Sequence, residues 1–233
     1  MIRKHIPNAI TCLNLFSGCI AIVFAFQGAY MTAACLIALA AIFDFFDGFA
    51  ARLLNAYSPL GKELDSLADV VSFGVAPGVM IYSFISDLSY TTGRSEYLTY
   101  LAFLIPVFSA LRLAIFNLDE RQATSFIGLP TPANALFWAF GIAGSFEYVL
   151  DTTFDPMIVV AATIFFSWLL VSNLPMFSLK FKHYKWRGNR LRYYFIAGCI
   201  VLLIMLGITG LSACILWYIG LSLLSVLSIK KRS

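Results

Sequence analysis

Four aspartates inside an apolar chain constrain this sequence more than any other feature. The stretch Phe43 to Asp69, FDFFDGFAARLLNAYSPLGKELDSLAD, holds Asp44, Asp47, Asp65 and Asp69, together with Arg52, Gly48 and Gly61. Asp44 and Asp47 stand three apart and Asp65 and Asp69 four apart, so on helices each pair lies on one face, with about 5–6 Å between Cβ atoms. Tyr57-Ser58-Pro59-Leu60-Gly61 between them carries the Pro and Gly punctuation of a turn. The spacing therefore predicts two antiparallel helices that bring four carboxylates into one small volume.

The rest of the chain predicts where that volume lies. Of 233 residues, 61% are hydrophobic and 12% charged, and the mean hydropathy is +0.86. An ordinary soluble domain carries about a quarter charged residues, so that class is excluded. Several apolar runs reach the roughly 20 residues that a bilayer span requires. The expectation is an all-α, polytopic transmembrane helical bundle of about eight spans, forming one integral-membrane domain over 1–233. The spans fall near 6–26, from about 29 with Asp44 and Asp47 towards its far end, 63–85, 97–117, 133–149, 157–174, 193–208 and 211–228. The last two are joined by a tight hairpin around Gly207 and Gly210. Asp44 lies well before the turn, so the second helix is expected to protrude from the bilayer or to tilt. Pro106 predicts a kink in the fourth span. The first apolar run could pass for a signal peptide, but the further spans after it favour retention as a helix.

An ionised Asp at the centre of a membrane helix costs about 2.5–3.5 kcal/mol, and four unpaired ones roughly 10–14. Arg52 offsets only one. Divalent cations held by carboxylate oxygens are the natural remedy, and the lack of nearby His or Cys favours Mg²⁺ or Mn²⁺ over Zn²⁺. Two other readings stand at this point: a purely stabilising Asp and Arg cluster, or a proton or cation path. Neither requires glycines at fixed offsets.

The residues Asp44, Asp47, Gly48, Ala51, Arg52, Gly61, Asp65 and Asp69 together resemble the full signature of the CDP-alcohol phosphotransferases, which occupies 44–69. These membrane enzymes move a substituted phosphate from a CDP-linked lipid to an alcohol and release CMP. The resemblance implies their fold and two divalent ions on Asp44, Asp47, Asp65 and Asp69, with Asp69 also the general base. A carboxylate of ordinary pKa, about 4, is a weak base for an alcohol, so positioning must carry much of that role. For the CDP-lipid, the implied contacts are Asn8, Thr11, Asp47, Gly48, Ala51, Arg52 and Gly61. The small residues there permit close approach and Arg52 offers a fixed charge to phosphate. Asn8 and Thr11 share a helix face near the basic start of the chain that can hydrogen-bond a nucleotide or diphosphate, with ordinary polar packing of a helix end as the alternative.

Beyond the signature, Ile6-Pro7-Asn8-Ala9-Ile10-Thr11, Arg112-Leu113-Ala114-Ile115-Phe116-Asn117 and Phe126-Ile127-Gly128-Leu129-Pro130-Thr131-Pro132 resemble the bacterial members that use L-serine as acceptor. With the signature, this likeness extends over the first 134 residues. Ile115 departs from it, standing where many relatives carry Arg. A serine carboxylate would then be received by Arg112, Asn117 and Thr131. Arg112 can instead snorkel to head groups, and Thr131 before Pro132 can simply cap a helix. Glycerol 3-phosphate or inositol phosphate as acceptor, and a cation transporter or channel, remain open. The same resemblance implies a homodimer.

With the amino terminus inside, every Lys and Arg except Arg94 falls on the inner side of an eight-span layout. This matches the positive-inside rule and predicts a multi-pass inner-membrane protein whose aspartates open to the cytoplasm. The basic run Lys180 to Arg192 suits anionic membrane lipids better than nucleic acid, or serves only as a topology signal. Cys12, Cys19, Cys35, Cys199 and Cys214 all lie in apolar segments and read as small helix-packing residues. His5 and His183 show no ligand spacing.

Overall fold

The structure is a computed structural model and describes residues 5–93, 96–118, 126–150, 154–177, 186 and 189–230. Arg3, Lys4, Arg94, Arg121, His183, Lys231, Arg232 and most of the basic run at 180–192 lie outside the described residues. The chain is built from α1 (Ile6–Phe26), α2 (Tyr30–Leu53), α3 (Pro59–Asp69), a π-helical turn (Val70–Val75) and α4 (Ala76–Thr92). A 3₁₀ stretch (Glu96–Phe103) leads into α5 (Leu104–Leu118). Then come α6 (Thr131–Leu150), α7 (Pro156–Val171), α8 (Arg190–Leu206) and α9 (Gly210–Lys230). Two short segments, β1 (Phe126–Ile127) and β2 (Pro175–Met176), pair antiparallel and tie the loop before α6 to the end of α7.

Among the described residues, 5 helical stretches are long and apolar enough to cross a membrane: 6–26, 30–53, 59–92, 97–118 and 190–226. The last of these folds back on itself. Trp217 Nε1 donates to the Tyr194 carbonyl at 3.3 Å and Cys214 Sγ to the Cys199 carbonyl at 3.7 Å, so α8 and α9 run antiparallel as a hairpin. Gly207 takes φ +56 at the bend, and a Cβ on Gly210 would lie 2.7 Å from the Leu202 carbonyl oxygen. Both glycines of the expected hairpin are thus required by its geometry.

Local hydrogen bonds set the helix ends around the aspartates. Helix α2 closes in a Schellman motif, with Asn55 at φ +49 and the amide of Ala56 donating to the Ala51 carbonyl at 2.9 Å. Helix α3 then starts at Pro59 rather than near Glu63, because Ser58 caps it. Extended at φ −144, Ser58 accepts from the amide of Gly61 at 3.0 Å, and Pro59 fills the first turn. Pro106 lies within the helical stretch 97–118, in the first turn of α5, just after the 3₁₀ stretch gives way to α-helix.

The core is built from small residues that let helices approach, as expected where lipid offers no hydrophobic drive to association. Ala21 and Ala25 of α1 and Ala33, Ala34 and Ala40 of α2 are fully buried. Gly74 and Gly78, four apart, receive Pro106 of α5; their Cβ positions lie 3.2 Å from its Cα and 2.9 Å from its Cδ. Gly18 of α1 meets Ser72 in the π turn, with the Ser72 Cα 2.7 Å from the Gly18 Cβ position. Gly18→Ala should therefore cost about 1–3 kcal/mol, the usual penalty for overpacking. Thermal unfolding in detergent measures it, and an unchanged midpoint would rule out the close approach. Cys12, Cys19 and Cys35 are exposed on the outside of the bundle, so they do not pack between helices. Their apolar segments present them on the outer face, and only Cys214 is buried.

Candidate active site

Helices α2 and α3 bring Asp44, Asp47 and Asp65 together. One carboxylate oxygen from each lies within 4.8 Å of the others. Asp47 is buried, and its Oδ2 and the Oδ1 of Asp65 are buried without a hydrogen-bond partner. Orphaned carboxylate oxygens are costly inside a protein, and a hard divalent cation with oxygen ligands answers that cost directly. The donor set fits such an ion and offers no soft ligand.

Asp69 lies one turn further along α3, outside that group of three, and is 7% exposed. Its Oδ1 accepts from Asn14 Nδ2 of α1 at 3.3 Å, and it stays within Coulombic range of all three other aspartates. Immediately after it the helix widens into the π turn Val70–Val75, a feature frequent at functional sites. The wider turn changes which face α4 presents relative to α3.

A cavity of about 520 Å³ opens beside the carboxylates. Asp47 and Asp65 belong to its wall, as do Asn8, Thr11, Gly48, Ala51 and Gly61. Six of the seven residues expected to contact the CDP-lipid therefore share one space. The seventh, Arg52, is not among the lining residues; it is exposed in the last turn of α2, where a cation also complements the helix dipole. The basic side chain in the wall is Lys62, whose Nζ donates to the Asn117 carbonyl at 3.3 Å. Thr11 Oγ1 donates back to the Pro7 carbonyl at 3.1 Å. Gly48 and Gly61 differ in purpose. Nothing lies within 4 Å of a Cβ on Gly48, which faces open cavity, whereas one on Gly61 would stand 3.0 Å from Asn8 Oδ1. Gly61 thus admits α1 against the start of α3.

The three residues expected to receive serine are placed less compactly. Arg112 of α5 is buried, with Nε unpartnered and its charge within Coulombic range of Asp69 and Tyr218. Asn117 spends its side-chain amide on Ser66 Oγ at 2.8 Å, fastening α5 to α3 one residue past Asp65. Thr131 is buried at the first residue of α6, where the amide of Asn134 bonds to the Pro130 carbonyl at 3.0 Å. Lys62, Ser66 and Asn14 were not read as site residues from the sequence. For Asn14 a signal existed: Asn8, Thr11 and Asn14 recur every three residues along one side of α1.

The chain belongs to the CDP-alcohol phosphatidyltransferase family, whose model matches residues 4–146. Among relatives, it is 36% identical over 182 residues to a CDP-diacylglycerol–serine O-phosphatidyltransferase of Bacillus subtilis, covering 78% of this chain and 92% of that protein. A protein of the same description from Helicobacter pylori is 34% identical over 182 residues, covering 77% of this chain and 74% of the relative. An archaetidylserine synthase of Methanothermobacter thermautotrophicus is 36% identical over 133 residues, covering 56% and 54%. Between an enzyme and a cation transporter, membership of this family favours the enzyme.

Proposed function

We infer that the chain transfers a phosphatidyl group from CDP-diacylglycerol to the hydroxyl of L-serine, giving phosphatidylserine and CMP. The observation that carries this reading is the meeting of three carboxylates, two of them, Asp47 and Asp65, in the wall of a cavity lined also by Asn8, Thr11, Gly48, Ala51 and Gly61. The cytidine diphosphate occupies that cavity, and the small side chains let it lie close to the helix backbones. Asp44, Asp47 and Asp65, with Asp69 as a further candidate, would hold the divalent cations. Bound Mg²⁺ or Mn²⁺, as one or two ions, would neutralise charge on the diphosphate and on departing CMP.

Asp69 is the general base. It takes the proton of the serine hydroxyl as the oxygen bonds to the lipid-side phosphorus and the bond from that phosphorus to the CMP oxygen breaks. Arg112, buried and charged beside Asp69, suits the serine carboxylate, and Thr131 and Asn117 complete that side, the latter by holding α5 against α3. Lys62 stands closer to the expected diphosphate than Arg52 does. Glycerol 3-phosphate or inositol phosphate would bring a second phosphate, and among the described residues Lys62 is the one basic side chain in the cavity wall. The wider assignment is a single catalytic domain over 1–233 with eight spans, in the inner membrane, with the cavity open to the cytoplasm; a homodimer rests on the family resemblance alone.

Purified protein given CDP-diacylglycerol, a divalent cation and one acceptor at a time tests the assignment. CMP should appear with L-serine, fall to background with EDTA, and stay near background with glycerol 3-phosphate or inositol phosphate. Preference for either phosphorylated acceptor would reassign the alcohol, and no CMP with any acceptor would remove the activity.

A further inference from the structure

We propose that Asn14 is a positioning residue for the reaction: its side-chain amide aims the Asp69 carboxylate from the neighbouring helix α1. This rests on the reading of Asp69 as general base. Asn14 is fully buried, and its Nδ2 lies 3.3 Å from Asp69 Oδ1, the one side-chain hydrogen bond described for that carboxylate. Only the nitrogen of an amide can donate to a carboxylate, so the orientation of the Asn14 side chain is determined by Asp69.

The anchor behind that amide is built. The Asn14 carbonyl accepts from Ser72 Oγ at 3.0 Å, and Gly18, one turn along α1, admits the Ser72 backbone. Helix α1 is therefore fastened to the π turn just beyond Asp69, and the amide reaches the carboxylate from a fixed base. With Oδ1 engaged by Asn14, Oδ2 is the oxygen left to meet the acceptor hydroxyl.

The other end of the amide argues against a packing role. Asn14 Oδ1 is buried without a partner, a loss that leucine, of similar volume, would avoid. A position filled for packing alone would be apolar. Asn14 does not line the nucleotide cavity, so its effect should fall on turnover and spare nucleotide binding.

Asn14→Leu, Asn14→Ala and Ser72→Ala, each in the full chain, separate these roles. Turnover is expressed per site that binds CMP, which removes any misfolded fraction from the count. For Asn14→Leu and Asn14→Ala, kcat should fall by about 10²-fold, the low end of what a general base contributes, while KM for CDP-diacylglycerol stays within about threefold. Ser72→Ala loosens the anchor but keeps the amide on Asp69, and should lower kcat by no more than about tenfold, well short of the Asn14 variants. If Asn14→Leu does not fold, Asn14→Ala decides. Near-normal kcat in the Asn14 variants, a loss confined to KM, or an equal loss in Ser72→Ala would each overturn the proposal. Wild-type turnover with serine is measured alongside. Should serine fail there, the serine reading falls and the same comparison is made with whichever hydroxyl supports CMP release, water included.

Discussion

Asp69→Asn is expected to lower CMP release by about 10³-fold while leaving the protein folded and able to bind CMP. The substitution is isosteric, and the asparagine oxygen can still accept from Asn14 Nδ2, so the contact between α1 and α3 survives. Asp69 is not part of the cavity wall, so nucleotide binding should persist. What is lost is the group that receives the hydroxyl proton, and general-base catalysis is worth about 10²–10⁴-fold. The initial rate of CMP release at saturating serine, set beside CMP affinity and the thermal midpoint, separates these effects. A variant keeping more than about a tenth of wild-type turnover would move the base role to another group.

The carboxylate site was legible because helix periodicity is rigid. Residues three or four apart must share a face, so Asp44 and Asp47 lie together on α2, and Asp65 of α3 need only be brought against that face. Arg52 shows the limit of reading by motif. It stands four residues after Gly48, so periodicity alone would set it beside the lining, yet it is exposed in the last turn of α2 and is not among the lining residues. The start of α3 was placed late because Pro59 and Gly61 read as turn residues. With Ser58 as cap they become the first turn of the helix instead. The π turn after Asp69 leaves no trace in composition, since VVSFGV reads as any apolar helix. Asn14 was obscured in a similar way: within a span, one polar residue every three positions looks like a helix interface until its partner on another helix is known. Small residues carried the same ambiguity, and only the fold separates Gly18, pressed on Ser72, from Gly48, which faces open space.

That difference makes Gly48→Leu the sharpest test of the cavity. A Cβ on Gly48 meets no atom within 4 Å, so a larger side chain enters without overpacking the bundle. Replacing glycine inside a helix also recovers up to about 1 kcal/mol of helix propensity, so the thermal midpoint should hold or rise. The added side chain would project from a residue of the cavity wall, beside Asp47, into space that the cytidine diphosphate needs. CMP affinity should fall by at least about 10²-fold, roughly the consequence of losing 2.7 kcal/mol of binding. Gly48→Ala, which adds a single carbon, should fall between the two. Stability and binding moving in opposite directions distinguish steric exclusion from damage to the fold, which would lower both. Normal CMP binding by Gly48→Leu would mean that the nucleotide lies elsewhere, and the carboxylates would then face a cavity whose occupant is not CDP-diacylglycerol.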